Sequence, residues 1–236
     1  MVYLLSDPHG NLFRFKKLLK HLDFKRNQDH LVLIGDVLDR GPDPIGLLNY
    51  IRPMIQDGSI TMLLGNHELF CIQFLEGRLG SQKWITFGGK TTYEQVTAMP
   101  ETEKDDLLSF LKSLPISYKG TSPLFGDFVA THSGILERYL VQKEGTEVYD
   151  AEASILKAYE KAPYELLCGC DLHYVPKEVV FDKYIVVGHV PINSFQGSEK
   201  DQFYKTEVYM DIDAGCGKGS ERLGCYVVET GEEIFV

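Results

Sequence analysis

Residues 31–41 read LVLIGDVLDRG: four aliphatic residues, a glycine, and then two acids and an arginine within five positions. A short apolar run closed by Gly and Asp is the pattern of a buried strand whose polar residues begin where the strand ends. Two other stretches repeat it. Val2-Tyr3-Leu4-Leu5 leads into SDPHG and Ile60-Thr61-Met62-Leu63-Leu64 into GNHE. Between the first two runs, Phe15, Leu18, Leu19 and Leu22 share one helical face, and between the second and third so do Ile45, Leu48, Ile51 and Ile55. Asp43-Pro44 supplies the second helix with an N-cap and a first-turn proline. Asp7 and Asp36 lie 29 residues apart and Asp36 and Asn66 lie 30 apart. That is the period of a βαβ unit, roughly thirty residues. Parallel strands at this spacing carry their polar motifs to one sheet edge, the carboxyl ends where open α/β sheets bind ligands.

Outward from this unit the pattern loosens. Residues 68–118 read as helical, with a helix starting near Pro100, presenting Leu107, Leu111 and Leu114 on one face, and stopping at Pro115. A second helical stretch is expected over about 150–167. Strand patterns return at Phe128–Thr131 before His132, at Tyr184–Val187 before Gly188-His189, and at Val208–Ile212 and Leu223–Val228. Nothing resembles a linker or a further repeat, so the reading is one domain over 1–236 with helical insertions near 68–118 and 150–167.

Composition narrows the function classes. A formal net charge of -10 argues against a nucleic-acid surface. No apolar run reaches the length of a membrane span. The start MVYLLSDPHG lacks the basic and apolar regions of a signal peptide, and five cysteines suggest no disulfide framework. A cytoplasmic protein with reduced thiols is expected.

The residues just past the apolar runs are Asp7, His9, Asp36, Asn66, His132 and His189. Carboxylate, amide oxygen and imidazole together suit borderline cations such as Mn²⁺, Fe²⁺ or Zn²⁺. Two cations about 3.5–4 Å apart need a shared ligand, and a carboxylate can bridge where a neutral imidazole cannot. Asp36, on the middle motif, is the natural bridge. One ion then takes Asp7 and His9, and the other Asn66, His132 and His189. Pro8 biases Asp7 toward an extended conformation, in which Asp7 and His9 point to the same side. Cys168, Cys170 and His173 form a competing soft-metal motif, but they lack an obvious fourth ligand, and reduced cysteines are the simpler reading.

SDPHG, GDVLDRG, GNHE, THSG and VVGHVP together resemble the motif series of the calcineurin-like metallophosphoesterase superfamily, across positions 4 to about 219. GDVLDRGPD and GNHE look most like its bacterial Ser/Thr protein phosphatase branch, a relative of the diadenosine tetraphosphatases. Trp84–Gly89 (WITFGG) and Asp211–Gly219 (DIDAGCGKG) also resemble segments of that branch. The resemblance implies an α/β fold, a four-layer α/β/β/α sandwich of two mixed β-sheets flanked by helices. It implies two divalent transition-metal ions, Mn²⁺ foremost with Fe or Zn as alternatives, and a metal-bridging hydroxide that attacks phosphorus in line with the leaving oxygen. His67 would be the general acid, Asp39 its partner, and Arg40 and Asn66 would contact the phosphate.

The branch usually has a second phosphate-binding arginine between its last two histidines. Here that window holds only Arg138, so Lys177, Lys183, Arg138 or a residue of the 218–222 loop becomes a candidate substitute. The expected substrate is a phosphorylated protein or a small phosphoester, the first reading being a Ser/Thr protein phosphatase. The alternatives are a symmetrical dinucleoside-tetraphosphate hydrolase, a phosphodiesterase and, in a different class, a non-catalytic phospho-binding scaffold. Oligomeric state is not legible.

Overall fold

The structure is a computed structural model that describes residues 1–176, 178–195, 202–219 and 222–236. The first five strands are β1 (Val2–Leu5), β2 (His30–Leu33), β3 (Ile60–Met62), β4 (Ser117–Ser122) and β5 (Gly126–Thr131). There follow β6 (Val148–Tyr149), β7 (Val180–Phe181), β8 (Tyr184–Val187), β9 (Tyr204–Lys205), β10 (Tyr209–Asp211), β11 (Gly224–Val227) and β12 (Glu233–Phe235). One five-stranded sheet runs β12-β11-β1-β2-β3 and a second runs β4-β5-β8-β10-β9. Both are mixed: β1, β2 and β3 are mutually parallel, as are β5, β8 and β10, while β11 and β4 join antiparallel. Helices flank the two sheets, giving the expected sandwich.

Period-two alternation explains the layers. Leu4, Val32 and Ile34 point between the sheets and pack with Phe128, Ala130, Val186 and Met210. Their chain neighbours Tyr3, Leu5, Leu31 and Leu33 belong to the core beneath the helices. Each of these strands is buried on both faces, which is why its sequence is continuously apolar rather than alternating. Complete burial of one such side chain contributes about 1.5–3 kcal/mol.

The helices form where their caps and stripes predict. In α1 (Leu12–His21), Phe15, Leu18 and Leu19 are buried and Asn11 caps the first turn. In α2 (Pro44–Gln56), Ile45, Leu48 and Ile51 are buried and the Asp43 side chain accepts the Gly46 N–H. Next come α3 (Asn66–Leu75), α4 (Ser81–Trp84), a π-helical turn at Ile85–Gly89, α5 (Lys90–Thr97) and α6 (Glu101–Lys112). Leu107 and Leu111 of α6 are buried, whereas Leu114 packs on the core from just beyond the helix.

Some expectations change. The stretch over about 150–167 is two helices, α7 (Ala151–Lys161) and α8 (Pro163–Cys168). Pro163 disfavours helical backbone at Ala162, which sits at φ −151°, ψ 61°, and the break follows. Strand β4 has no apolar run to announce it. It is an edge strand, mostly half-buried or exposed, and its partner β5 dictates it through a six-residue antiparallel register. Among the described residues no helix is long and apolar enough to cross a membrane.

Candidate metal centre and catalytic cleft

Every predicted ligand follows the carboxyl end of a strand: Asp7 and His9 after β1, Asp36 after β2, Asn66 after β3, His132 after β5 and His189 after β8. Spacing alone does not place the last two histidines. Parallel pairing of β5 with β8 does, since Ala130 opposite Val186 brings both strand ends level. The Gly188 N–H then donates to the His132 carbonyl at 2.8 Å.

The backbone at the site is strained. Six of the eight non-glycine residues with positive φ among the described residues are Asp7, His9, Asp36, Asp39, Arg40 and His189. Each such residue costs on the order of 1–3 kcal/mol, and strain of this kind collects at functional sites. The extended Asp7-Pro8-His9 segment is therefore corrected, with φ at +53° for Asp7 and +41° for His9. The His9 N–H donates to the Asp36 carbonyl at 3.0 Å and the Gly10 N–H to that of Val37 at 2.8 Å, folding the loop onto its neighbour. The two side chains still face each other, with His9 Nε2 3.8 Å from Asp7 Oδ1.

Asp36 stands at the centre. His9 Nε2 and His67 Nε2 each lie 3.7 Å from its Oδ2, and His132 Nε2 lies 3.4 Å from its Oδ1. Two groupings of ligand atoms arise, His9–Asp36–His67 and Asp36–His132–His189, each within 4.8 Å, and Asp36 belongs to both. The Asn66 side-chain amide lies 2.8 Å from His132 Nε2 and 3.1 Å from His189 Nδ1. Close approach requires small residues between the loops. A Cβ on Gly35 would lie 2.7 Å from His132 Nδ1, and one on Gly65 2.4 Å from Asp36 Oδ1.

These donors fit divalent cations. Asp7 Oδ1 and His9 Nε2 are fully buried and have no hydrogen-bond partner, a costly state that a cation between them would relieve. His9 Nδ1 and His132 Nδ1 lie 2.9 Å from the carbonyls of Leu38 and Ile34, so Nδ1–H donation turns each Nε2 lone pair inward. Burial and the neighbouring His67 hold His9 well below the usual imidazole pKa, and burial with His132 does the same at His189. Both are neutral, as ligands must be. Burial, reinforced by Asp7 and Glu68, pushes Asp36 well above the carboxylate range. At Asp7 burial acts upward too, but the Lys218 ammonium, with the His189 backbone N–H, opposes it and the group is held low.

Beside the candidate ligands stands the predicted acid. His67 Nδ1 lies 2.7 Å from Asp39 Oδ2, and the same oxygen accepts the Trp84 indole N–H at 2.8 Å. Arg40 Nη2 is 3.2 Å from His67 Nε2, and the Arg40 backbone N–H donates to the Gly88 carbonyl at 2.9 Å. WITFGG thus fixes both residues: its indole orients Asp39 and its π-helical turn holds Arg40. Together Arg40, Asn66, His67 and His189 line an open cleft of about 780 Å³.

Sequence reasoning missed three contributors. Glu68 of GNHE is buried and accepts the backbone N–H groups of Asp36, Gly65 and Leu38 at 2.8–3.0 Å, bracing two ligand loops. Its place three residues into a helix that follows Gly65 was the available signal. Glu68→Ala is expected to cost about 3 kcal/mol or more, because it leaves three buried donors unpaired. Urea unfolding of the metal-free protein measures this, and a loss below about 1 kcal/mol would contradict the bracing role. Trp84 and Lys218 lie in segments noted only as family-like. Lys218 Nζ sits 3.0 Å from Asp213 Oδ2 and 3.7 Å from Asp7 Oδ1, and it donates to the His189 carbonyl. Burial opposes its charge, but Asp213 and Asp7 outweigh burial and keep it protonated.

None of the described substitutes for a second arginine faces the cleft. Arg138 pairs with Glu165, Lys183 with Asp182 at 2.6 Å, and Lys218 points inward. Arg222 is not among the cleft-lining residues, and Lys177, Ser220 and Glu221 lie outside the described residues. Cys168, Cys170 and His173 form no ligand grouping among the described residues. Cys168 borders the cleft, while His173 Nδ1 is 2.9 Å from the Tyr209 hydroxyl. All five cysteines are free.

Two mixed sheets with this cluster at their shared strand ends define a metal-dependent phosphoesterase architecture. Residues 1–214 match the family model described as calcineurin-like phosphoesterase, and the chain belongs to that family. It is 26% identical over 152 residues to a symmetrical bis(5'-nucleosyl)-tetraphosphatase of Aromatoleum aromaticum, an alignment covering 64% of this chain and 50% of that protein. A protein of the same name from Pectobacterium atrosepticum is 32% identical over 114 residues, 48% of this chain and 37% of that one. The chain thus spans about half or less of the length of these relatives. Among solved structures, a cold-active protein-tyrosine phosphatase of a Shewanella species superposes with a TM-score of 0.57 at 20% identity, covering 99% of this chain and 76% of that one. A metallophosphoesterase from Sphaerobacter thermophilus gives 0.55 at 18% identity, covering 99% and 86%. At these identities the likeness establishes the fold alone.

Proposed function

We propose that this chain hydrolyses symmetrical dinucleoside tetraphosphates, adding water across the central P–O–P bridge to release two nucleoside diphosphates. The observation that carries hydrolysis is the pair of ligand groupings, His9–Asp36–His67 and Asp36–His132–His189, that share Asp36, with Asn66 against the two histidines and with Asp7 Oδ1 and His9 Nε2 buried without hydrogen-bond partners. The name of the relatives favours the tetraphosphate. The Ser/Thr protein phosphatase expected first from GDVLDRGPD and GNHE finds no such support, and Arg40 is the one arginine lining the cleft among the described residues.

Asp7, His9 and Asp36 would hold one divalent ion, and Asp36, Asn66, His132 and His189 the other. Two such ions supply Lewis acidity toward the phosphoryl oxygens and acidify the attacking water. Asp39 keeps the His67 ring in one tautomer and orientation, and His67 delivers the proton to the departing oxygen from Nε2. Arg40 holds non-bridging oxygens with its planar fork, and the Asn66 amide adjoins the same phosphate. The whole chain acts as one catalytic domain, with α3, the π-helical turn, the start of α5 and α8 supplying the wall of the cleft.

A substrate panel with added Mn²⁺ tests the reading: diadenosine tetraphosphate, a phosphothreonine peptide, p-nitrophenyl phosphate and its bis-ester. Diadenosine tetraphosphate should show the highest kcat/KM, with ADP as the only nucleotide product. Paired AMP and ATP would exclude symmetrical cleavage, and preference for the peptide would restore the phosphatase reading.

A further inference from the structure

One wall of the cleft is aromatic, and neither the metal ligands nor the acid requires it to be. The His67 and Phe70 rings meet edge to face with centroids 5.4 Å apart. Phe70 then packs on Phe87 at 4.8 Å and on Tyr164 at 6.3 Å. Phe70 is buried and serves as backing. Phe87 is half-buried and Tyr164 is 43% exposed, so both present ring surface. They come from separate elements: Phe87 from the π-helical turn that holds Arg40, and Tyr164 from the first turn of α8. Both line the same cleft as Arg40, His67 and His189, together with the exposed Lys90.

We infer that Phe87 and Tyr164, backed by Phe70, form a stacking platform for the nucleobase of the substrate, an assignment that rests on the proposed nucleotide chemistry. Core packing accounts for Phe70 and for part of Phe87, but not for the ring surface that Phe87 and the exposed Tyr164 leave beside a polar, charged centre. A planar base that stacks on an aromatic face gains about 5- to 160-fold in affinity, and every base offers such a face. The cleft's cations suit the attached phosphates: Arg40 adjoins the reacting centre and Lys90 stands further along the rim. The platform holds by stacking, so it should accept adenine and guanine alike.

Calorimetric titration of the Mn²⁺-loaded protein with AMP, GMP and inorganic phosphate tests this without turnover. In the wild type both nucleotides should bind at least about tenfold tighter than phosphate. In Phe87→Leu/Tyr164→Leu that advantage should fall to about twofold, with phosphate affinity and metal content holding. AMP binding no tighter than phosphate in the wild type, or an advantage retained in the variant, overturns the platform. A parallel fall in phosphate affinity would show that the rings only shape the site, and that too overturns it. If AMP keeps its advantage while diadenosine tetraphosphate is not cleaved, the platform stands and the proposed function fails.

Discussion

Asp36→Asn is expected to abolish turnover, lowering kcat by more than about 10³-fold, since it removes the one carboxylate common to both ligand groupings. An amide oxygen is neutral and cannot bridge two cations as a carboxylate does. Metal analysis should find two transition-metal ions per wild-type chain and one or fewer in the variant. The fold should survive, because the amide oxygen of the variant can still accept the His67 backbone N–H that Asp36 Oδ1 accepts at 3.1 Å. Without metal the variant should be as stable as the wild type or more so, because it no longer buries a carboxylate. Added Mn²⁺ should raise the melting temperature of the wild type more than that of the variant. Full activity in a metal-free preparation, or two tightly held ions in Asp36→Asn, would refute the bridge.

His67→Asn is expected to keep both ions yet slow turnover by about 10²–10⁴-fold for alkyl phosphomonoesters, the usual contribution of a positioned proton donor. The loss should be smaller for diadenosine tetraphosphate, since a nucleoside diphosphate departs as a stable anion and needs a proton less. The experiment also resolves a geometric ambiguity. His67 lies in one ligand grouping with His9 and Asp36, and donation of its Nδ1–H to Asp39 is equally the arrangement of a metal-bound histidine. The acid assignment rests on the resemblance carried by GNHE; Arg40, whose N–H groups lie 3.2–3.4 Å from Nε2, must turn to the phosphate before Nε2 can carry a proton. Loss of one equivalent of metal in His67→Asn would make His67 a ligand and end its role as the acid.

Much of this is legible in the chain alone. The three apolar runs of the first seventy residues are strands, α1 and α2 bury all but the half-buried Leu22 and Ile55 of the stripes their spacing announces, and the six proposed ligands converge. Local signals suffice because each element's burial pattern is written at its own period, and consecutive βαβ units leave little topological choice. The departures fall where one segment answers to another. The edge strand β4 exists because β5 offers it a ladder. The Asp7-Pro8-His9 loop abandons the extended form because its N–H groups are claimed by the neighbouring loop. Glu68, Trp84 and Lys218 act at a distance in sequence that no period records.

By itself, then, the sequence determined the class of fold and the run of strand-end motifs of the first seventy residues, because each βαβ unit is encoded within about thirty residues. Only the tertiary structure decided how His132 and His189 meet Asn66. It also decided that Glu68 and the WITFGG turn brace the site's loops, and that Arg138, Lys183, Lys218 and Arg222 are not among the residues lining the cleft. The physical reason is one throughout. A buried polar group must find its partner wherever the packed chain brings one, and the sequence states the need but not the address.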